Sequence, residues 1–195
     1  IDEEFCPMLS GCKNLCPQFH LSLQSGSDTV LKRMNRKYDT ARYLESVRLL
    51  HEFFPNCAVT TDLIVGFPGE TEQEFSDSLS FMQTCRLAAV HVFPYSRRKG
   101  TPAASMPEQI ERSEKERRAA LAGEVAAKLH NAFLTRQIGT DHDVLFEQTE
   151  NGYFTGHTMN YVKVYCRAEN LRNEIRRVRI TALFEDGVLA EPVSA

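Results

Sequence analysis

The 195-residue chain carries 23 Lys and Arg against 26 Asp and Glu, a formal net charge of −3, so no global positive field draws it to nucleic acid or to an anionic membrane. With 42% hydrophobic residues it can bury a sizeable core, and its length allows one ordinary domain or a larger unit followed by a smaller one. No secretory h-region and no apolar run of about 18 residues appears in it, and its six cysteines are scattered, from which a reduced, cytoplasmic protein with no membrane partner is expected.

The chain starts without an initiator Met and runs almost at once into a strand, as expected of a piece cut from a longer protein. Cys12 and Cys16 flank three residues and Cys6 lies nearby. Pro7 and Pro17 give this stretch turn character, and the spacing is neither C-x2-C nor C-x3-C-x2-C, so ordinary thiols are expected rather than metal ligands.

Residues 19–24 (FHLSLQ) alternate as a short strand, and Ser27 and Asp28 supply N-cap chemistry for a helix over 27–34. Asp39 or Thr40 caps the next helix, whose Tyr43, Leu44, Val47, Leu50 and Phe54 recur near helical spacing until Pro55 stops it. Residues 57–67 (CAVTTDLIVGF) read as a second strand, apolar enough at its end to be covered on both faces. Thr71 with Glu74 forms a capping box for a helix through 84, and a third strand follows over 88–93. A basic loop punctuated by Gly and Pro (96–107) leads into a long charged helix (108–136) with Ile110, Leu121, Val125, Leu129 and Phe133 on its apolar stripe.

After Gly139 the pattern turns all-β: runs at 142–148, 153–157, 161–167, 175–183 and 188–191, with Asn-Gly and Asp-Gly turns among them. About five short strands predict a small OB-like barrel. The fold class is therefore α/β, a half TIM-like barrel or an open sheet over 1–135 with its bridging helix, then an all-β unit over 136–195. Three strand-to-helix units cannot close an eight-stranded barrel but can make half of one or an open sheet, and in either case function belongs at the C-terminal ends of the strands.

Several residues at those ends could carry chemistry. Asp62 lies inside an apolar strand, where a carboxylate is either a satisfied structural group or an acceptor facing a ligand. Gln24 ends its strand similarly, and Gly66 and Gly69 bracket a turn where a backbone can approach a ligand or simply reverse. Arg97, Arg98 and Lys99 meet phosphates or are merely solvated; Lys32 and Lys37 read as a solvated face. His20 and His91 read as core histidines.

The strings HLSLQSGSD (20–28), LKRMNR (31–36), TDLIVGFPGET (61–71), HVFPYS (91–96) and GTPAA (100–104) closely resemble the radical S-adenosylmethionine (SAM) methylthiotransferases. The tail from about 136 is similar to the TRAM RNA-binding domain that ends these enzymes. Gln24-Ser25-Gly26 looks like the tRNA-modifying branches, where the ribosomal-protein branch has Gln-His-Ala. The run RMNRKY and the tail string GHTMNYVKVY (156–165) look most like the branch acting on threonylcarbamoyladenosine at position 37, with the isopentenyladenosine branch as competitor.

The resemblance implies that a [4Fe–4S] cluster on a CxxxCxxC motif cleaves SAM to a radical that abstracts hydrogen from C2 of the adenine, with sulfur supplied by a second cluster. It implies that Gln24, Arg36 and Asp62 hold SAM, with Ile64, Gly66 and the backbone of Val92 and Phe93 around its adenosine. It also implies a tRNA anticodon loop as partner, and it leaves the sulfur and electron donors unassigned. No CxxxCxxC motif occurs in this chain, so the two clusters are expected in a longer parent, none in this piece, and the piece alone is expected to be inactive. Arg97, Arg98, Tyr161, Lys163, Arg176 and Arg179 are the expected RNA contacts, joined by Tyr153, Tyr165, Arg172 and Arg177 on the candidate face. Two other readings remain: a non-catalytic RNA-binding protein with a vestigial half barrel, and a radical SAM enzyme that modifies a protein.

Overall fold

The structure is a computed structural model that describes residues 1–168 and 170–193. Its elements are α1 (Phe5–Ser10), β1 (Gln18–His20), α2 (Asp28–Arg33), α3 (Thr40–Phe53), β2 (Ala58–Val65), α4 (Glu72–Thr84), β3 (Ala89–Pro94), α5 (Pro102–Ser105) and α6 (Arg112–Thr135). Five strands follow: β4 (Asp141–Glu150), β5 (Tyr153–Thr158), β6 (Lys163–Cys166), β7 (Glu174–Phe184) and β8 (Gly187–Pro192). Strands β1–β3 form a parallel sheet in chain order, and β4–β8 close a barrel in the order β4-β5-β6-β8-β7. Parallel sheet plus five-stranded barrel is the mixed architecture the sequence predicts.

Two short helices, α1 and α5, arise where turns and loop were expected, and the bridging helix starts at Arg112 rather than 108. Glu108 has φ +57, outside the helical region, and its carbonyl accepts from Gly69 N–H at 2.9 Å instead of opening a helix.

The parallel sheet is covered on one face, which corrects the expectation of two. Val59, Leu63 and Val65 of β2, with Val90 and Val92 of β3, pack against Tyr43, Val47 and Leu50 of α3, Phe75 and Met82 of α4, and Ala122 and Ala126 of α6. Burial of each large apolar side chain contributes about 1.5–3 kcal/mol. Strand alternation sends Thr60, Asp62 and Ile64 to the other face, where β3 sets His91 beside Asp62 and Phe93 beside Ile64. Phe93 is 51% exposed there, and His20 and His91 are exposed too, not core residues.

The barrel core is Val144, Phe146, Val164, Cys166, Val178, Ile180 and Val188, and it continues through Phe133 and Leu134 of α6 to Ala58 and Ala88 at the start of β2 and β3. The two parts thus share one apolar seam at the N-terminal ends of the parallel strands.

Candidate functional site

The first strand stops four residues earlier than expected because of an irregularity. His20 pairs with Thr60 and Gln24 with Leu63, four steps against three, so β1 carries an extra residue. The hydroxyl of buried Thr61 fills the break, accepting from Leu23 N–H at 2.8 Å and donating to the Leu21 carbonyl. Gln24 is then clamped to β2: its N–H donates to the Asp62 carbonyl and its carbonyl accepts from Ile64 N–H, both at 2.9 Å. The clamp holds Gln24 at φ +68, a left-handed conformation that costs a residue with a Cβ about 1–3 kcal/mol. Strain kept at one position by its surroundings is a mark of a functional site.

Beyond Gln24 the chain is held just as closely. Ser78 Oγ accepts from Gly26 N–H at 3.0 Å, and a Cβ at Gly26 would sit 2.7 Å from Ser78 Cα and 2.8 Å from Phe81 Cβ. Only glycine lets the strand end approach α4 so closely.

A cavity of about 480 Å³ opens at the C-terminal ends of the strands, lined by Gln24, Asp62, Ile64, Phe93, Tyr95 and Arg98, among others. Four of the seven residues expected around SAM therefore share one space. Asp62 is held from behind by His20, whose Nε2 stands 3.5 Å from Oδ2 and whose Nδ1 meets Thr60 Oγ1 at 3.1 Å. Tyr95 was not singled out from the sequence. It lines the same cavity, its ring meets Phe67 edge-on, and its hydroxyl is buried with no hydrogen-bond partner among the described residues. Its place one residue past β3 was the available signal.

The other three expected residues lie differently. Val92 turns its side chain to the core and does not line the cavity. Arg36 is exposed and does not line the cavity. Gly66, at φ +71, serves the turn: its N–H donates to Glu70 Oε2 at 2.6 Å, and the Lys115 stem crosses where a Cβ would stand, 2.3 Å from Lys115 Cγ. Glu70 is buried against Arg118 at 2.8 Å, and burial raises its carboxyl above the usual range against the pull of Gly66 and Arg118. This buried pair fixes the turn after β2 onto α6.

The expected RNA residues divide between free and committed. Tyr161 is 68% exposed and stacks on His157 with centroids 4.6 Å apart. Arg98 is exposed at the cavity, whereas Arg97 donates to the Ala104 carbonyl at 2.6 Å. Lys163 pairs with Glu150 at 3.0 Å and Asp186 at 3.2 Å, and hydrogen bonds to Tyr165 first, then Glu150, raise its ammonium above the usual range. Tyr165 is buried in a cluster with Tyr153 and Phe184. Arg176, Arg177 and Arg179 are exposed but meet Glu174, Asp143 and Asp141; Arg172 is exposed.

Residues 1–82 match the model of the radical SAM superfamily. The chain is 34% identical over 192 residues to a tRNA-2-methylthio-N(6)-dimethylallyladenosine synthase of Endomicrobium trichonymphae, which covers 95% of this chain and 46% of that protein. It is 37% identical to the threonylcarbamoyladenosine tRNA methylthiotransferase of Bacillus subtilis (92% of this chain, 41% of that protein) and 36% identical to that of Thermotoga maritima (97% and 44%). The chain belongs to the radical SAM methylthiotransferase family.

This radical SAM chain spans less than half the length of those relatives. Its cavity suits a nucleoside: a carboxylate and an amide for hydroxyls, Ile64 and Phe93 for an aromatic plane, and an unpartnered phenol. Its cysteines do not suit a cluster. Cys6, Cys57, Cys85 and Cys166 are buried thiols, only Cys12 and Cys16 are exposed, and among the described residues no three His, Cys, Asp or Glu side chains converge. No helix among the described residues is long and apolar enough to cross a membrane.

Proposed function

We propose that this chain supplies the nucleoside side of a SAM pocket and the RNA-binding tail of a tRNA methylthiotransferase whose substrate is N6-threonylcarbamoyladenosine at position 37, in the anticodon loop. The observation that carries the reading is the gathering of Gln24, Asp62, Ile64 and Phe93 around one cavity at the strand ends. When bound, SAM supplies the radical chemistry of the family. The chain's own residues bind and orient it: Asp62 and Gln24 meet the ribose hydroxyls, and Ile64 and Phe93 pack on the adenine. Arg36 is assigned to the methionine carboxylate and has to swing toward the strand ends to reach it.

The [4Fe–4S] clusters belong to other parts of the whole protein in this reading, and no step is assigned to this chain's cysteines. The closed barrel takes the TRAM role, with Tyr161 and its His157 partner as a stacking platform and with Arg176 and Arg179 as phosphate contacts once they exchange Glu174 and Asp141 for RNA. Relatives named for dimethylallyladenosine match as well as those named for threonylcarbamoyladenosine, so the isopentenyl substrate is the second reading.

Calorimetry with SAM tests the pocket. Asp62→Asn and Gln24→Ala each weaken binding about tenfold, the worth of one good hydrogen bond; equal affinity of both variants and wild type removes the pocket assignment. Mass spectrometry of tRNA nucleosides from cells lacking the gene tests the substrate, which is then seen as loss of the methylthio form of one modified adenosine and not the other.

A further inference from the structure

At the opposite ends of the parallel strands lies a second cavity, about 700 Å³, between α3, the turn into β2, and the ends of α4 and α6. The proposed nucleoside pocket does not use it. Its charged lining is Arg48, His51 and Glu52 from α3, Arg86 just past α4, and Arg136 at the end of α6.

The cations here are not neutralised by the protein. Among the described residues, Arg48, Arg86 and Arg136 form no ion pair and donate no side-chain hydrogen bond; Arg136 only overlies the Phe133 ring at 5.5 Å. Burial first, and then Arg86, lowers the Arg136 guanidinium below its usual range, and burial, Arg136 and Arg86 together lower the His51 imidazole. Like charges are thus held close enough to repel. Glu52 is the carboxylate on the lining, and it is exposed and unpaired among the described residues. Cys57 and Cys85, pushed up to about 12 by burial, stay neutral.

His51 adds the second observation. Its Nε2 is buried with no hydrogen-bond partner among the described residues, while Nδ1 faces Cys57 Sγ at 3.6 Å. The Cys85 backbone hydrogen-bonds this imidazole only weakly, too little to offset burial, so the ring keeps hydrogen-bonding capacity for a ligand that enters the cavity.

Helix dipoles offer a competing reason for the cations, because α3, α4 and α6 all end at this cavity and each C-terminus carries roughly half a negative charge. That attraction acts through space and uses no hydrogen bond, and none of the three guanidiniums donates to a terminal carbonyl. Their donors remain free, five N–H groups to a side chain in a fork that matches oxyanions.

We propose that this cavity binds a phosphate-type oxyanion, with Arg48, Arg86 and Arg136 at its mouth and His51 as the inner hydrogen-bonding group. Free phosphate and an RNA backbone phosphate present the same chemistry to it. Isothermal titration of the 195-residue chain with inorganic phosphate at low salt, and anisotropy with a labelled RNA stem-loop, separate the two sources. Arg86→Gln combined with Arg136→Gln is expected to weaken phosphate binding at least about tenfold, while Arg112→Gln, far along α6, changes it less than about twofold.

If RNA is the source, the double variant also lowers the salt slope of RNA binding by about one to two. Retained RNA affinity with lost phosphate binding assigns the site to a free anion. The idea is overturned if wild type takes up no phosphate, or if Arg112→Gln weakens binding as much as the double variant. Circular dichroism of each variant establishes that the fold is kept.

Discussion

Tyr95 buries a hydroxyl that nothing in the described protein bonds. Such a group costs about 1–3 kcal/mol in the free protein, a cost recovered where a bound molecule supplies the partner. Tyr95→Phe is therefore expected to raise unfolding free energy by about 1 kcal/mol while weakening SAM binding, two effects of opposite sign that urea titration and calorimetry read separately. A loss of stability together with unchanged affinity would mean that the phenol is only packing. Gly26 has the reverse character. A methyl there meets the α4 backbone at 2.7 Å, and neither Ser78 Cα nor Phe81 Cβ is a flexible tip that can move aside. Gly26→Ala should cost about 1–3 kcal/mol in the urea midpoint and distort Gln24 two residues away. At this scale the sequence was partly readable. Asp62 stands out because a carboxylate interrupts an apolar run; the strain at Gln24 does not, because it comes from backbone hydrogen bonds to Asp62 and Ile64 on another strand.

Between elements, Glu74 shows how much a local signal contains. The capping box with Thr71 is legible from spacing alone and is present, with Thr71 Oγ1 accepting from Glu74 N–H. The same carboxylate also pairs with Arg33 at 2.7 Å and accepts from Thr29 on α2, contacts that no short-range pattern announces. Burial opposes its ionisation, but the hydrogen bonds from Arg33, Thr29 and the Thr71 N–H outweigh that and hold it at about 2, below the ordinary 4.5. A carboxyl with a depressed folded pKa adds stability that is complete above its unfolded value and disappears as the proton returns. Stability should thus fall between pH 4.5 and about 2, and Glu74→Gln should flatten that part of the pH–stability curve; a curve of unchanged shape would exclude this group as the source. The Glu70–Arg118 pair is buried on both sides. Arg118→Leu strands the carboxylate and should cost about 3–5 kcal/mol, part of it regained when Glu70→Gln is added, because the amide removes the buried charge while its oxygen still accepts from Gly66 N–H. The ion pairs of Lys163 and Arg179, both expected RNA contacts, are not legible in the sequence because their acidic partners lie on neighbouring strands or turns, 13 to 38 residues away.

For the whole molecule, the order of strands, helices and hairpins follows from periodicity and turn residues, but how the parallel sheet meets the barrel does not. That junction is set by Asn160, which is 3% exposed in the loop between β5 and β6. Its Nδ2 donates to the Asn56 carbonyl at 2.8 Å and to Gln137 Oε1 at 3.3 Å, while Oδ1 accepts from Thr158 Oγ1. One side chain therefore ties the barrel to the turn before β2 and to the end of α6, beside the apolar seam of Phe133, Leu134, Ala58 and Ala88. The seam supplies adhesion without direction, whereas the amide fixes the register of the two parts. Asn160→Ala leaves the Asn56 carbonyl and Gln137 Oε1 without this donor, at a cost of about 1–3 kcal/mol. Because that cost falls on the junction and not on either core, barrel and sheet should lose cooperativity: the urea transition broadens, its slope drops, and amide exchange speeds up around Gln137 and Val162 more than at Leu63 or Phe75. A uniform increase in exchange across both cores, with the slope kept, would show that the two parts fold as one unit and that Asn160 only adds to their common stability.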